Sequence, residues 1–179
     1  MGPLSINKYE NVFDDDFCHE LFNDCISNIS DPTKYNWKSN YSWSSDVFKG
    51  SFPVQCRLMD EKYTEKILNN LFEKNIIDNK NYSVNNFVWT RLSYIPWHND
   101  GIYEGGAVTI YLNPIWDENW GGIFMYREEN SDEIHGIMPK FNTAVKVNNY
   151  TLHSVSFISP LASCPRYTLQ LFPIKTTTT

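Results

Sequence analysis

Residues 85–100 read NNFVWTRLSYIPWHND, and this stretch decides how the rest of the chain is interpreted. It begins with the apolar and aromatic residues typical of a β-strand and ends with His98 and Asp100, one residue apart. On a strand, residues two apart point to the same side, so this imidazole and this carboxylate can aim at one point. A mixed nitrogen and oxygen pair suits a transition metal, and one more imidazole would complete a site with two histidines and one carboxylate.

From residue 84 onwards the chain is a series of short β-like runs separated by Gly, Pro, Asn and Asp. The runs are NNFVWTRLSYI, GAVTIYLN, GGIFMYRE, TAVKVNN, LHSVSFI and RYTLQLFPI. Because no helical period lies between them, we expect antiparallel strands that form a sandwich or a barrel.

The preceding part of the chain predicts two helices, over residues 14–29 and 60–77, because apolar residues recur there at spacings of three and four. The residues expected to face inward are Phe17, Leu21, Cys25, Ile29, Tyr63, Ile67, Leu71 and Phe72. Between the helices, residues 35–54 are aromatic and polar without a period, which indicates a long loop or an irregular hairpin.

Helices first and strands afterwards indicate an α+β fold. We expect a single domain over residues 1–179, with helical support over about 10–80 and a β core over about 84–175.

Composition and charge narrow the function classes. Hydrophobic residues make up 41% of the chain, which argues against disorder, and the formal net charge is −6, which argues against nucleic acid or an anionic membrane as partner. No stretch is long or apolar enough to span a membrane, and the first residues lack the apolar segment of a signal peptide, so we expect a cytoplasmic protein. The four cysteines form no CxxC pair and are interpreted as buried, reduced thiols.

Three other histidines could complete the metal site. His19 lies on the flank of the first predicted helix and His135 in a charged connection, whereas His153 lies near the start of an apolar late strand. Alone, His153 would be interpreted as an ordinary core or edge histidine. With His98 and Asp100 upstream, it is the favoured third ligand.

The last strand places Arg166, Thr168 and Gln170 on one side, where they could line a polar cavity. A guanidinium binds a carboxylate in bidentate fashion, but a surface position at the start of an edge strand is an equal alternative for Arg166. Tyr111, in GAVTIYLN, could donate its phenol to the same carboxylate or simply pack in a barrel.

The order of these residues resembles that of the Fe(II)- and 2-oxoglutarate-dependent oxygenases, and within them the prolyl 4-hydroxylase-like branch. That family has an HxD motif, then a distal histidine, then a basic residue, which here are His98 to Asp100, His153 and Arg166. The stretch AVTIYLNPIWDENWGGIFMYRE is also similar to the hypoxia-factor prolyl hydroxylases, which share a tyrosine before LN, a WD step and a GG pair. The resemblance implies a double-stranded β-helix core, of the jelly-roll or cupin-like type, with N-terminal supporting helices.

The resemblance also implies the role of each residue. Iron would be held by His98, Asp100 and His153, and the far carboxylate of 2-oxoglutarate by Arg166 and Tyr111. The implied cofactors are Fe(II), 2-oxoglutarate and O2, with ascorbate as a candidate reductant. The implied reaction is hydroxylation of a substrate, with decarboxylation of 2-oxoglutarate to succinate; because halogenating relatives lose the carboxylate, the retained aspartate favours hydroxylation.

Tyr94 has the same strand parity as His98, so we expect its ring to point inward and to shape the cofactor pocket. The chain departs from the family in one spacing: Arg166 follows His153 by thirteen positions, more than is usual, which implies a longer hairpin. Collagen-type members carry lysine at that place, so the arginine points to the hypoxia-factor and microbial types.

The sequence is compatible with two classes of substrate. Peptide or protein proline is the first, and the aromatic residues Trp37, Tyr41 and Trp43 could bind it, or they could fill the core beneath a long loop. A free amino acid or another small metabolite is the second. A non-catalytic, metal-binding β-barrel module is a third possibility from another class, disfavoured because a structural metal site needs no carboxylate-binding arginine.

Overall fold

The computed structural model describes residues 6–29, 38–40, 54–101, 106–148 and 150–174. These residues form two α-helices, α1 (Asp15–Ile29) and α2 (Glu61–Glu73), a 3-10 turn at Glu118–Trp120, and eleven strands. The strands are β1 Ile6–Glu10, β2 Lys38–Asn40, β3 Val54–Leu58, β4 Tyr82–Trp89, β5 Ile95–His98, β6 Ala107–Tyr111, β7 Phe124–Arg127, β8 Ile134–Ile137, β9 Thr143–Val147, β10 Leu152–Val155 and β11 Arg166–Pro173. The expected α+β class is confirmed.

The strands form two sheets in which every described pairing is antiparallel. The large sheet has the order β1-β9-β6-β11-β4-β3-β2, and the small sheet has the order β5-β10-β7-β8. Their inner faces share one apolar cluster, to which the large sheet contributes Trp89 and Tyr111 and the small sheet contributes Phe124 and Val155. The two sheets therefore face each other.

The outer face of the large sheet is covered by the helices. Leu21 of α1, Ile67 of α2, and Leu169 and Leu171 of β11 belong to one buried cluster and are each 0% exposed. Antiparallel sheets alternate their side chains between two faces, so β11 contributes to this core and to the inner face at the same time.

The helix starts follow the sequence, but the end of the second helix differs. Helix α2 stops at Glu73 rather than at residue 77, because Asn75 adopts a left-handed φ of 56° and the N–H of Ile76 turns back to the carbonyl of Leu71, at 2.9 Å. Phe72, expected to face inward, is 43% exposed. No helix in the described ranges is both long and apolar enough to cross a membrane.

The strand runs also need correction. The run 85–95, read as one strand, is split by a turn, where Leu92 has φ 68°, into β4 of the large sheet and β5 of the small sheet. Strands β1 and β8 were not predicted, because five and four residues without strict alternation carry little signal. β2 and β3 pair antiparallel, whereas Trp37, Tyr41 and Trp43 lie outside the described residues.

Candidate active site

Two neighbouring strands of the small sheet bring the expected metal ligands together. His98 of β5 lies directly opposite His153 of β10, and their ring centroids are 4.2 Å apart. Asp100 follows β5, with carboxylate oxygens 3.8 Å from His98 Nε2 and 3.5 Å from His153 Nε2. One ligand atom from each residue lies within 4.8 Å of the other two, a spacing that a single ion could bridge.

Both imidazoles are oriented by the main chain. His98 Nδ1 lies 2.9 Å from the carbonyl oxygen of Pro96, and His153 Nδ1 lies 2.8 Å from that of Thr151. A carbonyl oxygen only accepts, so each Nδ1 donates, and in a neutral ring this leaves the lone pair on Nε2, which faces the centre of the cluster. Metal-binding histidines are commonly fixed in this way.

Electrostatics favour the neutral form of His98, which is the form that binds a metal. Burial and the neighbouring His153 both lower the pKa of His98 below its ordinary value, and these effects outweigh the backbone carbonyl of Pro96 and the carboxylate of Asp100. The cluster is therefore ready to accept a cation without first losing a proton from this ring.

The position of Tyr94 is not the one expected from strand parity. The pairing of β5 with β10 matches His153 with His98 but Val155 with Ile95, so β5 contains one extra residue between these pairs. This bulge resets the alternation, and Ile95 joins His98 in facing the cavity. Tyr94 is absent from the described lining and instead packs on Phe157, with ring centroids 4.1 Å apart.

Arg166 is buried between the sheets without an acidic partner. It is 1% exposed, its guanidinium carbon lies 4.3 Å from the ring centroid of Trp89, and Nη1 donates to the carbonyl of Gly122. No carboxylate of the described residues forms an ion pair with it, and its buried Nε has no hydrogen-bond partner. Burial lowers the pKa of Arg166 to about 10, so the group stays charged at neutral pH.

Tyr111 lies beside this arginine. The guanidinium carbon of Arg166 is 5.7 Å from the centroid of the Tyr111 ring, and the buried Tyr111 hydroxyl also lacks a hydrogen-bond partner. Burial raises the pKa of Tyr111 to about 12, so its hydroxyl stays protonated and can donate. Buried polar groups in proteins are almost always paired, so these two buried donors fit an anionic ligand in the cavity.

These residues share a cavity of about 490 Å³ between the two sheets. The described residues lining it are Trp89, Ile95, His98, Asn99, Asp100, Gly101, Ala107, Thr109, Tyr111, Phe124, Val147, Tyr150, His153, Val155, Arg166, Gln170 and Phe172. The donor set therefore fits a divalent iron at the cluster, and the orphaned donors of Arg166 and Tyr111 fit one carboxylate of a dicarboxylic acid such as 2-oxoglutarate.

One wall of the cavity carries a chain of hydrogen bonds. Thr109 Oγ1 donates to Gln170 Oε1 at 2.8 Å, Gln170 Nε2 donates to Thr168 Oγ1 at 3.4 Å, and Trp89 Nε1 donates to the same oxygen at 3.0 Å. The expected polar face of the last strand is thus present, and its side chains hold one another in place.

The other two histidines lie elsewhere. The ring of His19 lies against Phe141, with centroids 4.6 Å apart, and that of His135 lies on Tyr126, with centroids 5.1 Å apart. Neither belongs to the cluster of possible ligands found among the described residues.

Sequence reasoning missed several cavity residues. Phe124 stacks on His153 with centroids 5.4 Å apart, and Trp89 covers Arg166, but both looked like ordinary strand aromatics. Gly122 was noted only as part of a GG pair. Its φ is 66°, and a Cβ there would lie 2.6 Å from Ile158 and 3.3 Å from Cδ of Arg166, so this site needs a glycine.

Comparisons with known proteins agree with this geometry. The family model of the 2OG-Fe(II) oxygenase superfamily matches residues 83–172, just over half of the chain. A search of curated proteins finds no match.

Solved structures of the same fold were also found. A prolyl-4-hydroxylase from Pseudomonas putida is 11% identical, with a TM-score of 0.72 over 96% of this chain and 93% of that one. A prolyl hydroxylase from Trichoplax adhaerens, in complex with a hypoxia inducible factor peptide fragment, is 17% identical, with a TM-score of 0.67 over 94% and 82%. The non-heme alpha ketoglutarate dependent epimerase SnoN, from nogalamycin biosynthesis, is 9% identical, with a TM-score of 0.64 over 94% and 77%. These likenesses confirm the double-stranded β-helix.

Proposed function

The chain belongs to the 2OG-Fe(II) oxygenase superfamily and is a dioxygenase, and on that premise we propose that it hydroxylates proline residues in a peptide or protein. Two of the similar structures support the choice of substrate, since both are prolyl hydroxylases and one holds a peptide fragment. Decarboxylation of 2-oxoglutarate to succinate would accompany the hydroxylation, and ascorbate would serve as reductant. Hydroxylation of a free amino acid or another small metabolite is the alternative that the experiment below separates.

One observation carries the catalytic assignment: a buried arginine without an acidic partner shares a cavity with a His–Asp–His cluster. A structural metal site would explain the cluster but not the arginine, which costs free energy to bury unpaired. A dicarboxylic cosubstrate explains both, because it would offer one end to the metal and the other to the guanidinium.

We assign the following roles within this proposal. Nε2 of His98 and of His153 and a carboxylate oxygen of Asp100 would hold Fe(II), with their orientation set by the main-chain carbonyls described above. Arg166 and Tyr111 would bind the far carboxylate of 2-oxoglutarate. When bound, the iron and 2-oxoglutarate would supply the activation of O2 needed to hydroxylate an unactivated C–H bond.

The remaining cavity residues would exclude water and hold the binding groups still. Trp89 covers the guanidinium, Phe124 packs on the ring of His153, and Phe172 lies in the apolar wall. A dry cavity strengthens the attraction between Arg166 and a carboxylate, because fewer water dipoles screen it.

The test begins without oxygen. Fe(II) and 2-oxoglutarate are added to the metal-free protein, and the weak visible charge-transfer band of an iron-chelated keto acid is recorded. We expect the band in the natural protein and in His135→Ala, whose histidine lies outside the cluster, and its loss in His153→Ala. A folded natural protein that binds Fe(II) but gives no band would contradict the cosubstrate assignment.

Admitting oxygen then tests the substrate class. We expect a proline-containing peptide to gain the mass of one oxygen atom and to stimulate succinate formation, and free proline to do neither. The reverse result would replace the peptide assignment with the small-metabolite alternative and leave the oxygenase assignment intact.

A further inference from the structure

Tyr150 stands where the cavity meets the solvent. Its side chain lines the cavity, yet the residue is 72% exposed. Within the described lining, no other large apolar or aromatic side chain is exposed to this degree. Its side chain therefore lies at the boundary between the cavity and the solvent.

The ring is seated against the segment that carries a metal ligand. A Cβ built at Gly101 would lie 2.6 Å from Cε1 and 2.9 Å from Cδ1 of Tyr150, so only a glycine lets the ring come this close. Gly101 directly follows Asp100, and Tyr150 directly precedes Thr151, whose carbonyl orients His153. The ring thus connects the segment that carries Asp100 with the segment that carries His153.

The backbone also fixes where the ring can be. Tyr150 has a φ of 66°, in the left-handed region that side-chain-bearing residues rarely adopt. The hydrogen bond from the N–H of Thr151 to the carbonyl of Asn148, at 3.3 Å, closes the turn that holds this conformation.

We propose that Tyr150 is a substrate-positioning residue, and that an extended peptide lies against its ring while one residue of the peptide enters the cavity. This inference rests on the proposed function and names the side chain that would recognise the peptide. A tyrosine ring is a flat, stiff apolar surface that suits the pyrrolidine rings of an extended proline-containing chain. Its hydroxyl could also donate to a peptide carbonyl.

The first experiment separates binding of the peptide from the chemistry. Succinate formation is measured with an Ala-Pro repeat peptide for the natural protein, Tyr150→Ala and Tyr150→Phe. We expect Tyr150→Ala to raise KM for the peptide about tenfold, while kcat and KM for 2-oxoglutarate stay within about twofold. Tyr150→Phe keeps the ring and should restore most of the affinity. The matched control is Phe157→Ala, which removes an aromatic ring that is 55% exposed outside the described lining and should change none of these constants.

The second experiment moves the ring without removing it. Gly101→Ala places a methyl group where the ring lies, so it should raise KM for the peptide about as much as Tyr150→Ala. The double variant should be no worse than either single one, because both changes abolish the same contact. The anaerobic charge-transfer band checks that Asp100 still binds the metal in all three variants.

The outcomes distinguish this inference from the function on which it rests. If the natural protein turns over the peptide and Tyr150→Ala does so with an unchanged KM, the role of Tyr150 is wrong and the prolyl hydroxylase proposal stands. Equal increases in the KM values for peptide and 2-oxoglutarate would show a structural role and would likewise overturn it. If the natural protein forms the band but turns over no peptide, both the peptide assignment and the role of Tyr150 fail.

Discussion

The two sides of strand β11 carry side chains of opposite character. On the outer side, Leu169 and Leu171 are fully buried among apolar neighbours from the helices. On the inner side, at positions of the opposite parity, Arg166 and Gln170 face the cavity. The strand therefore contributes apolar side chains to the helix-facing core and polar side chains to the cavity.

The difference between the two sides shows which buried residues add to the free energy of unfolding and which reduce it. Burying leucine is favourable, whereas burying a guanidinium and a phenol with unpaired donors is costly. A ligand that satisfies those donors would recover part of the cost, since anything that binds only the folded state stabilises it. If a ligand binds there, the inner side would thus add to stability only in the bound state, whereas the outer side stabilises the free protein as well.

The substitution Arg166→Met gives the strongest test of whether the inner side of β11 serves ligand binding and not stability. We expect KM for 2-oxoglutarate to rise about 100-fold or more, because the partner of its far carboxylate is lost. The free energy of unfolding of the ligand-free protein should stay the same or increase, because an unpaired buried charge is removed. Urea unfolding and succinate formation measure the two quantities.

Arg57→Met is the matched control, since this arginine is also buried but pairs with Asp24 and, at 3.6 Å, with Asp60. Its loss should lower stability and leave KM for 2-oxoglutarate unchanged. A large loss of stability in Arg166→Met would show that the inner arginine serves the fold and not a ligand.

A substitution on the outer side should act in the opposite way. Leu169→Ala opens a cavity in the helix-facing core and should lower the free energy of unfolding by about 2–5 kcal/mol. At a temperature where the variant is folded, KM for 2-oxoglutarate should stay within about twofold of the natural value. A change in KM as large as the change in stability would mean that the two faces of the sheet are not independent.

The smallest expected effect concerns the hydrogen-bonded wall. Thr109→Val removes the donor to Gln170 Oε1 while keeping the shape, which should cost about 1 kcal/mol of stability. Gln170, which lines the cavity, then loses its fixed orientation. At least one of the two KM values, for 2-oxoglutarate or for the peptide, should therefore rise by about twofold to fivefold. Thr143→Val is the control on the neighbouring strand, since its hydroxyl bonds only weakly, at 3.4 Å, to the carbonyl of Phe141.

Much of this arrangement could be predicted because strands alternate with a period of two. The alternation correctly put Arg166 and Gln170 on one side of β11 and Leu169 on the other, and it gave the inward direction of His98 and Asp100. The order of motifs gave the family, and the α+β class followed from helices that precede strands.

What could not be predicted depends on single residues that break a period. The bulge in β5 turned Tyr94 away from the cavity; Pro96 lies within it and is typical of edge strands and bulges, but a proline alone does not show which residue is the extra one. The left-handed residue Asn75 ended α2 while the apolar pattern continued through Ile76. The closeness of Tyr150 to Gly101 was not predicted, because the two residues are distant in sequence.

The two main-chain carbonyls that hold His98 and His153 have a consequence for how the site tolerates change. In many metal sites the histidine is oriented by another side chain, which one substitution can delete. Here the acceptors belong to the peptide bonds of Pro96 and Thr151, and every amino acid that preserves the local backbone supplies the same oxygen. Substitutions at positions 96 and 151 that keep the backbone in place would therefore leave both hydrogen bonds intact, so the orientation of these two imidazoles depends on the fold and not on any one side chain.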